Sequence, residues 1–432
     1  MKQRSEASFA YLIRMFPQTS ETFVANEILH QERLGLSLKV YSCRRPVDRV
    51  THAVVRLIQS PVHYLPDPLW KSTLPILRTM LAVRRRNPRG FGVALRFTAR
   101  KSLRELSIER WKRLLQASCL AWELQEDGIR HIHAHFAHTA TDITWLASMI
   151  TGIPFSFTGH AKDVYTARHR DLQEKLDAAE FAVTCTGANV DYLSEIAGPQ
   201  HMGKLKLAYH GVDLDKFNYR ETEPPHDLPL ILSVGRLVKK KGFGDLVAAL
   251  GLLRDRGVRF RALIVGDGEE RKAIEAQVSA LGLDDLVSLP GAITQEELVP
   301  IYAQATVFAL PCRVLDDGDR DGLPNVLLES MSIGLPVVTT PISGIPEAVR
   351  HGENGLLVPE RDVAALAAAL ELLLSDPELR HRLGANARQT IAAEMSVDAM
   401  AERLAGLFFG AIGRGEEWQA RGAVPEEKAV EA

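Results

Sequence analysis

Two basic side chains flank a strand-to-helix turn in the segment SVGRLVKKKG, residues 233–242. An apolar run ends at Gly235, Arg236 follows it, and Lys241 stands just before the next helical pattern. Because the free N–H groups at a helix start already attract anions, two cations beside them suit a diphosphate group. Three adjacent lysines also fit a solvent-exposed basic turn, so the spacing alone leaves both interpretations open.

Two carboxylates stand eight residues apart in the segment DRDGLPNVLLESMSIGLPVV, residues 319–338. The Gly-Leu-Pro sequence after Asp321 predicts a tight turn and a helix start, with Glu329 about two turns along that helix. Both carboxylates could accept hydrogen bonds from sugar and ribose hydroxyls. Alternatively, Asp321 is a capping acid and Glu329 a solvated helix residue. The apolar neighbours of Glu329 weaken this alternative, since a carboxylate among them usually has a partner.

A parallel sheet is needed to bring these segments together. In the C-terminal half, unbroken apolar runs alternate with helical patterns, as they do where strands are buried on both faces. Gly or Pro follows the strands, at the turns where open α/β sheets bind ligands. The predicted strands are 230–237, 259–268 (a strand together with the turn after it), 286–289, 305–311, 336–340 and 355–358. The predicted helices are 243–254, 269–281, 295–303 and 325–333. This half is therefore predicted to be a doubly wound α/β domain.

The N-terminal half repeats the pattern less regularly. Its predicted strands are 9–14, 38–41, 131–136, 155–158, 181–184 and 205–209, with a helical stretch over 69–124 that is interrupted near 87–90. Two prolines and several charges over 219–228 predict a linker. We therefore predict two facing Rossmann-like domains, with a ligand cleft between them. The predicted segments are 1–218, 226–395, a helix over 396–412 that crosses back to the first domain, and a disordered tail over 413–432.

Together the C-terminal segments resemble the nucleotide-sugar-binding domain of the retaining GT-B glycosyltransferases of the glycosyl transferase group 1 family, or family 4. The family pattern is a GR-x4-KG turn followed later by an acidic-x7-Glu motif. The match runs over residues 230–388 and includes IVGDGEER, SLPGAIT and GIPEAV in the same order. One departure is the first acid, which is Asp321 in this chain and usually Glu in the family.

Three segments extend the resemblance into the N-terminal half, which would be the acceptor-side domain. They are FPQTSETFVANEI (16–28), HIHAHFAH (131–138) and FSFTGHAKDVY (155–165). Their sequences resemble those of the branch of the family that builds exopolysaccharides of the colanic-acid type. The resemblance therefore implies a role in cell-surface polysaccharide synthesis.

The resemblance also implies a role for each matching residue. Arg236 and Lys241 would bind the nucleotide diphosphate beside Gly235 and neutralise the departing charge. Glu329 would hold the ribose hydroxyls, and Asp321 would contact the transferred sugar. His160 would face the donor sugar from the N-terminal domain. Further contacts to phosphate, sugar and base would come from Gly322, Leu323, Pro324 and Asn325 at the helix start and from Gly291.

No metal ion is expected at the site. His131, His133 and His135 alternate on a predicted strand and so share a face, which is one arrangement of metal ligands. The family match instead places His135 at the cleft end of that strand, with the other two as ordinary strand residues. The acidic run DDGDRD, residues 316–321, contains the D-x-D spacing that binds a divalent cation in the other major glycosyltransferase fold. Since Arg236 and Lys241 already supply positive charge, we interpret this run as a polar loop.

The composition excludes several other classes of protein. The chain has 432 residues, 46% of them hydrophobic, and a net charge of −2, which argues against a disordered chain or a dedicated nucleic-acid binder. Its four cysteines include no CxxC pair and predict neither a zinc site nor a disulfide framework. With no apolar signal segment and no run of about 18 apolar residues, we expect a cytoplasmic protein.

A strongly basic segment lies between Arg78 and Arg113, where twelve basic residues accompany two acidic ones. Interleaved Leu, Val, Phe and Trp indicate an amphipathic surface. We interpret this segment either as a solvated helix face or as a peripheral contact with an anionic membrane that carries lipid-linked acceptors.

The resemblance implies a metal-independent, retaining transfer of a sugar from a nucleotide diphosphate sugar, with a UDP- or GDP-sugar most expected. The acceptor would be a glycan or a polyprenyl-linked glycan, and no cofactor is implied. No carboxylate is placed as a nucleophile, which favours a front-face displacement. Two alternatives stay open: a nucleotide-sugar 2-epimerase of the same architecture, and a non-catalytic subunit that binds nucleotide sugars.

Overall fold

The computed structural model describes residues 8–18, 21–46, 53–69, 73–221 and 227–422. The chain divides into two units, each built on one sheet. The first unit comprises residues 1–184, 192–208 and 400–432, and the second comprises 185–191 and 209–399. None of the helices in the described ranges combines the length and the apolar character needed to cross a bilayer.

Seven parallel strands form the sheet of the first unit. They are Phe9–Met15 (β1), Leu38–Arg44 (β2), Val62–Tyr64 (β3), His131–His135 (β4), Phe155–Gly159 (β5), Ala182–Thr184 (β6) and Leu205–Leu207 (β7). Their order in the sheet is β3-β2-β1-β4-β5-β6-β7, so the direction of winding reverses between β1 and β4. Doubly wound sheets bind ligands at the carboxyl ends of the strands at such a switch point.

Eight helices in the described part of the chain accompany this sheet. They are Thr22–Arg33 (α1), Thr73–Arg86 (α2), Pro88–Glu105 (α3), Glu109–Glu126 (α4), Thr139–Thr151 (α5), Ala161–Tyr165 (α6), His169–Ala178 (α7) and Gly187–Ala197 (α8). The first residues of α8 are counted with the second unit. Helix α5 is buried on almost every side because it packs between the sheet and α3 and α4.

The second unit has a six-stranded parallel sheet in the order β10-β9-β8-β11-β12-β13. Its strands are Leu230–Val234 (β8), Arg261–Val265 (β9), Val287–Gly291 (β10), Val307–Leu310 (β11), Val337–Thr339 (β12) and Leu356–Leu357 (β13). Its helices are Phe243–Asp255 (α9), Arg271–Ala280 (α10), Gln295–Gln304 (α11), Asn325–Ile333 (α12), Ile345–Ala348 (α13), Val363–Ser375 (α14) and Pro377–Glu394 (α15). The switch point of this sheet lies between β8 and β11. The prediction of two doubly wound α/β units is confirmed.

Two glycines permit close backbone approaches at the carboxyl edge of this second sheet. A Cβ atom on Gly242, whose φ is +72°, would lie 1.9 Å from the carbonyl oxygen of Pro311. A Cβ atom on Gly266 would lie 1.9 Å from the carbonyl oxygen of Gly235. Since no side chain tolerates such a distance, glycine lets the loops after β8, β9 and β11 approach one another.

The structure differs from the sequence-based prediction at several boundaries. The second unit begins at Tyr209, before the predicted linker, whose residues 222–226 lie outside the described ranges. The predicted stretch over 69–124 is three helices, because the chain turns at Asn87 and again at Leu106–Ile108. Strand β3 was not predicted.

The last helices lie in the region predicted as a crossing helix and a tail. Val397–Ala411 (α16) passes from the second unit into the first, where the Gln31 side chain donates a 2.9 Å hydrogen bond to the Ala401 carbonyl. Within the segment predicted to be disordered, Gly415–Gly422 (α17) is helical. Its Trp418 ring stacks on Phe409 at 5.2 Å, and this apolar contact gives the helix a partner. Residues 423–432 lie outside the described ranges.

Candidate active site

The loops that follow β8 and β11 come together at the switch point of the second sheet. Lys241, at the end of the first loop, places its Nζ 2.9 Å from Oδ2 of Asp321 in the second loop. Lys240 lies 2.9 Å from an oxygen of Asp319 and 3.5 Å from Oδ1 of Asp321. The structure thus brings together one predicted cation and one predicted carboxylate, with a second cation and a second carboxylate beside them.

Charge pairing keeps Lys241 and Asp321 ionised although both are largely buried. Burial alone would lower the pKa of Lys241, but the negative charge of Asp321 outweighs it and holds the pKa above its ordinary value. Burial alone would raise the pKa of Asp321, and the charges of Lys241 and Lys240 instead hold it below its ordinary value. The Sγ of Cys312 lies 3.5 Å from Oδ2 of Asp321 and donates to it.

The solvent-exposed basic turn offered as an alternative is therefore wrong for two of its lysines. Lys240 and Lys241 have side chains that are only 8% and 12% exposed. Lys239 and Arg236 are exposed, and the charge of Arg236 acts against the rise in the Lys241 pKa, so the two cations are close enough to interact. One buried and one exposed cation at a strand end suit an anionic ligand that enters from solvent.

Three glycines, of which Gly235 and Gly291 were predicted site residues, lie at the ends of three neighbouring strands. Gly235 follows β8, and its N–H donates to the Val265 carbonyl at 2.9 Å. Gly266 follows β9, and its N–H donates to the carbonyl of Gly291, the last residue of β10, at 2.9 Å. These hydrogen bonds hold the ends of β8, β9 and β10 together at this edge.

The start of α12 lies beside this carboxyl edge. Pro324 is the N-cap residue of α12, Leu323 is buried, and the Gly322 carbonyl accepts from the N–H of Gly344 at 3.0 Å. Nδ1 of His210 lies 2.9 Å from Oδ1 of Asn325, the first helical residue. Asp321 does not cap this helix, because its carboxylate is directed at the two lysines.

Glu329 is buried and hydrogen-bonded, which contradicts the solvated alternative. Its side chain accepts a 3.0 Å hydrogen bond from the Tyr302 hydroxyl and a 2.6 Å hydrogen bond from Nε2 of Gln295. Burial and the charge of Glu329 raise the pKa of Tyr302, so this hydroxyl stays protonated and donates. Helices α11 and α12 thus fix the second acid of the acidic-x7-acidic pair.

His160 belongs to the first unit and stands between β5 and α6. It is 8% exposed, and its backbone N–H donates to Oδ1 of Asp163 at 2.9 Å. The rings of Phe136, Phe23 and His135 surround its imidazole at centroid distances of 4.5, 5.0 and 5.9 Å. The ring is therefore held by aromatic contacts at the carboxyl edge of the first sheet.

The three alternating histidines of β4 are fully buried. Nδ1 of His133 and Nε2 of His131 each lie 2.8 Å from the Ser156 hydroxyl, and Nε2 of His133 lies 2.8 Å from that of Thr158. One nitrogen of His133, one of His135 and an oxygen of Glu27 lie within 4.8 Å of one another and could geometrically hold a metal ion. Hydrogen bonds already occupy both nitrogens of His133, so these contacts explain the cluster without an ion.

Four of the polar residues that contact the predicted ones show why sequence reasoning missed them. They are Lys240, Gln295, Tyr302 and His210. Lys240 was visible as one of three adjacent lysines, but a run of like charge does not show which member turns inward. The other three lie 27 or more residues from the acid or amide that they contact, so local spacing carried no signal for them.

The basic segment between Arg78 and Arg113 separates into two groups. In its second part, cations pair with acids from other elements: Lys101 and Arg104 with Asp171 and Glu174, Arg110 and Arg113 with Asp142, and Lys112 with Asp67. In its first part, Arg86 pairs with Glu126. Six exposed arginines make no ion pair within the described ranges: Arg78, Arg84, Arg85, Arg89, Arg96 and Arg100.

Comparison with known proteins adds to this geometry. Residues 215–390 match the family model described as glycosyl transferases group 1. The chain is 28% identical over 422 residues to the protein named as colanic acid biosynthesis glycosyltransferase WcaL of Salmonella typhimurium, covering 92% of this chain and 98% of that protein. It is 39% identical over 175 residues to the amylovoran biosynthesis glycosyltransferase AmsK of Erwinia amylovora, which covers 40% of this chain and 43% of that protein.

A solved structure supports the fold. HepE of Anabaena, determined with UDP and glucose, matches with a TM-score of 0.69 over 93% of this chain and 99% of its own. Only 16% of the aligned residues are identical, so this likeness concerns the fold alone.

Proposed function

We propose that this chain, a GT-B glycosyltransferase of the glycosyl transferases group 1 family, moves a sugar from a nucleotide diphosphate sugar to a glycan or lipid-linked acceptor. The relatives named for colanic acid and amylovoran biosynthesis support a role in exopolysaccharide or cell-surface polysaccharide synthesis. We further propose that the anomeric configuration is retained and that no metal ion is required.

The observation that carries this proposal is the pairing of Lys241 with Asp321 at the switch point of the second sheet, between an exposed Arg236 and the start of α12. When the bond between the anomeric carbon and the diphosphate breaks, negative charge grows on the diphosphate. Arg236, Lys241 and the helix start would stabilise that charge, and preorganised groups of this kind often supply the largest part of catalysis. These two cations would also fill the role that a divalent ion would otherwise have.

The remaining site residues would orient the donor. Glu329, already held by two side-chain donors, would accept from the ribose hydroxyls, and Gly291 would lie beside the base. Asp321 would hold Lys241 in place and contact the transferred sugar. The acceptor oxygen would attack from the face that the diphosphate leaves and give its proton to a leaving phosphate oxygen, while His160 positions the donor or stabilises developing charge.

A donor screen tests this function. Thermal shift and turnover are measured with UDP-, GDP-, ADP- and dTDP-sugars, with and without a glycan or polyprenyl-linked acceptor, and with and without EDTA. We expect one nucleotide class to stabilise the protein and sugar transfer to need the acceptor, unaffected by EDTA. Loss of turnover in EDTA that Mg²⁺ restores would contradict the metal-free mechanism. An epimerised donor formed without any acceptor would indicate the epimerase, and binding without turnover would indicate a non-catalytic subunit.

Contact with an anionic membrane is part of the proposal. Of the eleven large apolar side chains that are exposed in the described ranges, nine lie within residues 74–111. Leu74, Leu77 and Leu81 form one stripe on α2 because their spacing places them on one helix face. The others are Val93, Leu95, Leu103, Leu106, Ile108 and Trp111. So many exposed apolar residues on adjoining helices are typical of an interaction surface.

The six arginines without ion pairs lie on α2 and α3, the helices that carry most of these apolar residues. Each cation near an anionic bilayer contributes about 1 kcal/mol of attraction. Six cations together with several inserted leucines would therefore suffice for stable but reversible docking. A protein partner would have to supply both an apolar face and an excess of acidic groups. An anionic lipid surface supplies both at once, and it is where lipid-linked acceptors would be found.

Vesicle binding tests this surface. The Arg78→Gln, Arg85→Gln, Arg89→Gln and Arg96→Gln variant should bind phosphatidylglycerol-containing vesicles at least about tenfold more weakly than the wild type. The matched control removes the same charge from the second unit at Arg259, Arg261, Lys272 and Arg382, which are also exposed. Trp111, 40% exposed, should shift its emission to the blue on binding. Equal binding by both variants, or to neutral phosphatidylcholine vesicles, would contradict membrane docking through this surface.

A further inference from the structure

A buried carboxylate lies at the switch point of the first sheet, and the mechanism above leaves it unused. Glu27, on α1, is 6% exposed. Its Oε1 accepts a 2.9 Å hydrogen bond from the Tyr11 hydroxyl on β1 and lies 3.1 Å from Nε2 of His135, the last residue of β4. Tyr11 and His135 are completely buried. A carboxylate buried this deeply is stable only because donors satisfy it.

The carboxylate determines which nitrogen of His135 carries the proton. An ionised carboxylate only accepts hydrogen bonds, so Nε2 of His135 must be the protonated nitrogen. Nδ1 of the same ring is buried and has no hydrogen-bond partner within the described ranges. Glu27 therefore fixes both the tautomer and the orientation of this imidazole, as carboxylates do for histidines in many active sites.

His135 in turn contacts His160. The two imidazoles stack with centroids 5.9 Å apart and an interplanar angle of 21°. His135 also stacks on the Tyr11 ring, with centroids 5.7 Å apart and an interplanar angle of 13°. Two layers of rings thus connect the Glu27 carboxylate, through His135, to the histidine that the proposed function places against the donor sugar.

We propose that Glu27 is a positioning residue for His160, acting through His135. The inference rests on the proposed function for the role of His160, but the hydrogen bonds and ring contacts are independent of that function. Glu27 and His135 would have the same geometry if their hydrogen bond only stabilised the core, so the test must separate positioning from stability. Tyr11→Phe supplies the matched control, because it removes the other hydrogen bond to the same carboxylate oxygen and leaves His135 paired.

Kinetics on the full-length protein give the first test. Glu27→Gln should lower kcat at least about tenfold with the donor KM within about twofold, while Tyr11→Phe keeps both within about twofold. In a His160→Ala background, Glu27→Gln should have no further effect, since residues that act as one unit are not additive. The proposal would be overturned if Glu27→Gln lowered kcat equally with and without His160. It would also be overturned if Glu27→Gln and Tyr11→Phe lowered kcat equally. If Glu27→Gln folds poorly, His135→Gln is the second variant and should reproduce the kcat loss.

Nitrogen NMR of the histidine rings gives a test that does not depend on turnover. The His160 ring resonances should move in Glu27→Gln and stay in place in Tyr11→Phe. Resonances of His160 that are the same in all three proteins would overturn the positioning role. If His160→Ala turns over normally, the proposed function of His160 fails, and the spectra then decide on positioning alone.

Discussion

Lys241 is the single residue on which the proposed chemistry depends most. Its side chain is 12% exposed and its ammonium group is paired with Asp321, so the group is fixed before any ligand arrives. We expect Lys241→Ala to lower kcat at least about 100-fold, the cost of about 3 kcal/mol that is typical for one lost donor to a developing anion. Lys239→Ala, which removes an exposed cation of the same turn, should stay within about twofold of wild type. Steady-state turnover measures kcat of both variants. A normal kcat in Lys241→Ala would contradict the assignment of this residue to the site.

Asp321 has a double role that gives a separate prediction. Asp321→Asn should lower turnover because Lys241 loses its partner, and it should destabilise the second unit by about 3 kcal/mol because a buried cation is left uncompensated. Asp321→Glu keeps the charge and restores the usual family residue, so it should retain turnover within about tenfold. Asp317→Asn is the control, since that carboxylate is exposed in the same loop. If Asp321→Asn were as stable and active as this control, the ion pair would have no functional importance.

The loop or helix of each proposed site residue could be predicted from the sequence, but its partner could not. The turn and the helix start are local, so Arg236, Lys241 and Asp321 were placed on the correct loops. That Asp321 contacts Lys241 depends on β8 and β11 being neighbours in the sheet, although more than seventy residues separate them. The inward direction of Lys240 follows from the same sheet order, which is why the lysine run could not reveal it.

At the scale of elements, Asp142 connects three helices of the first unit. It lies on α5 with its carboxylate 2.9 Å from Arg110 on α4 and 3.2 Å from Lys175 on α7, and Arg113 contacts the same carboxylate. Asp142→Asn should destabilise this unit by about 3–5 kcal/mol, because it leaves largely buried cations unpaired. Urea unfolding followed by tryptophan fluorescence measures the change. Glu126→Gln, at an exposed pair with Arg86, should cost at most about 1 kcal/mol.

The effect of Asp142 should also depend on pH. Burial raises the pKa of Asp142, but the charges of Lys175, Arg113 and Arg110 outweigh burial and hold it below its ordinary value of 3.8. A carboxylate with a lowered pKa stabilises the fold above its ordinary pKa, and that stabilisation is lost as the pH falls through the lowered value. The difference in free energy of unfolding between wild type and Asp142→Asn should therefore be largest at pH 7 and decrease below about pH 4. If this difference in free energy stays constant over the range, the charge of Asp142 is not the cause of the stabilisation.

These contacts also explain where the prediction of elements failed. Strands such as β8 and β9 are unbroken apolar runs and were placed within a few residues, and α12 was predicted with its observed bounds. Strand β3 has three half-buried residues, too few to give a periodic pattern. The twelve basic residues looked like one surface, yet half of them pair with acids, most of them from other elements. The pairings of Lys101, Arg104, Arg110 and Arg113 arise only when α5 and α7 pack against α3 and α4.

At the scale of the molecule, both units share one strand order around their switch points, and the tryptophans are unevenly distributed. All five tryptophans lie outside residues 185–191 and 209–399, so the second unit contains none. Tryptophan fluorescence therefore reports unfolding of the first unit, whereas far-ultraviolet circular dichroism reports both. The proposed donor residues other than His160 all belong to the second unit, which gives a test of where the nucleotide binds.

We expect a nucleoside diphosphate of the preferred base to stabilise the second unit selectively. At a concentration 100 times its Kd, a ligand that binds only the folded state adds about 2.7 kcal/mol, which corresponds to about 5–10 °C in Tm for a unit of this size. The circular dichroism signal should show a component that moves by this amount, while the fluorescence transition moves less. In Lys241→Ala the ligand should no longer shift the circular dichroism component more than the fluorescence transition, because the diphosphate then loses its buried cation. A fluorescence transition that rises as far as the circular dichroism component would contradict selective binding to the second unit.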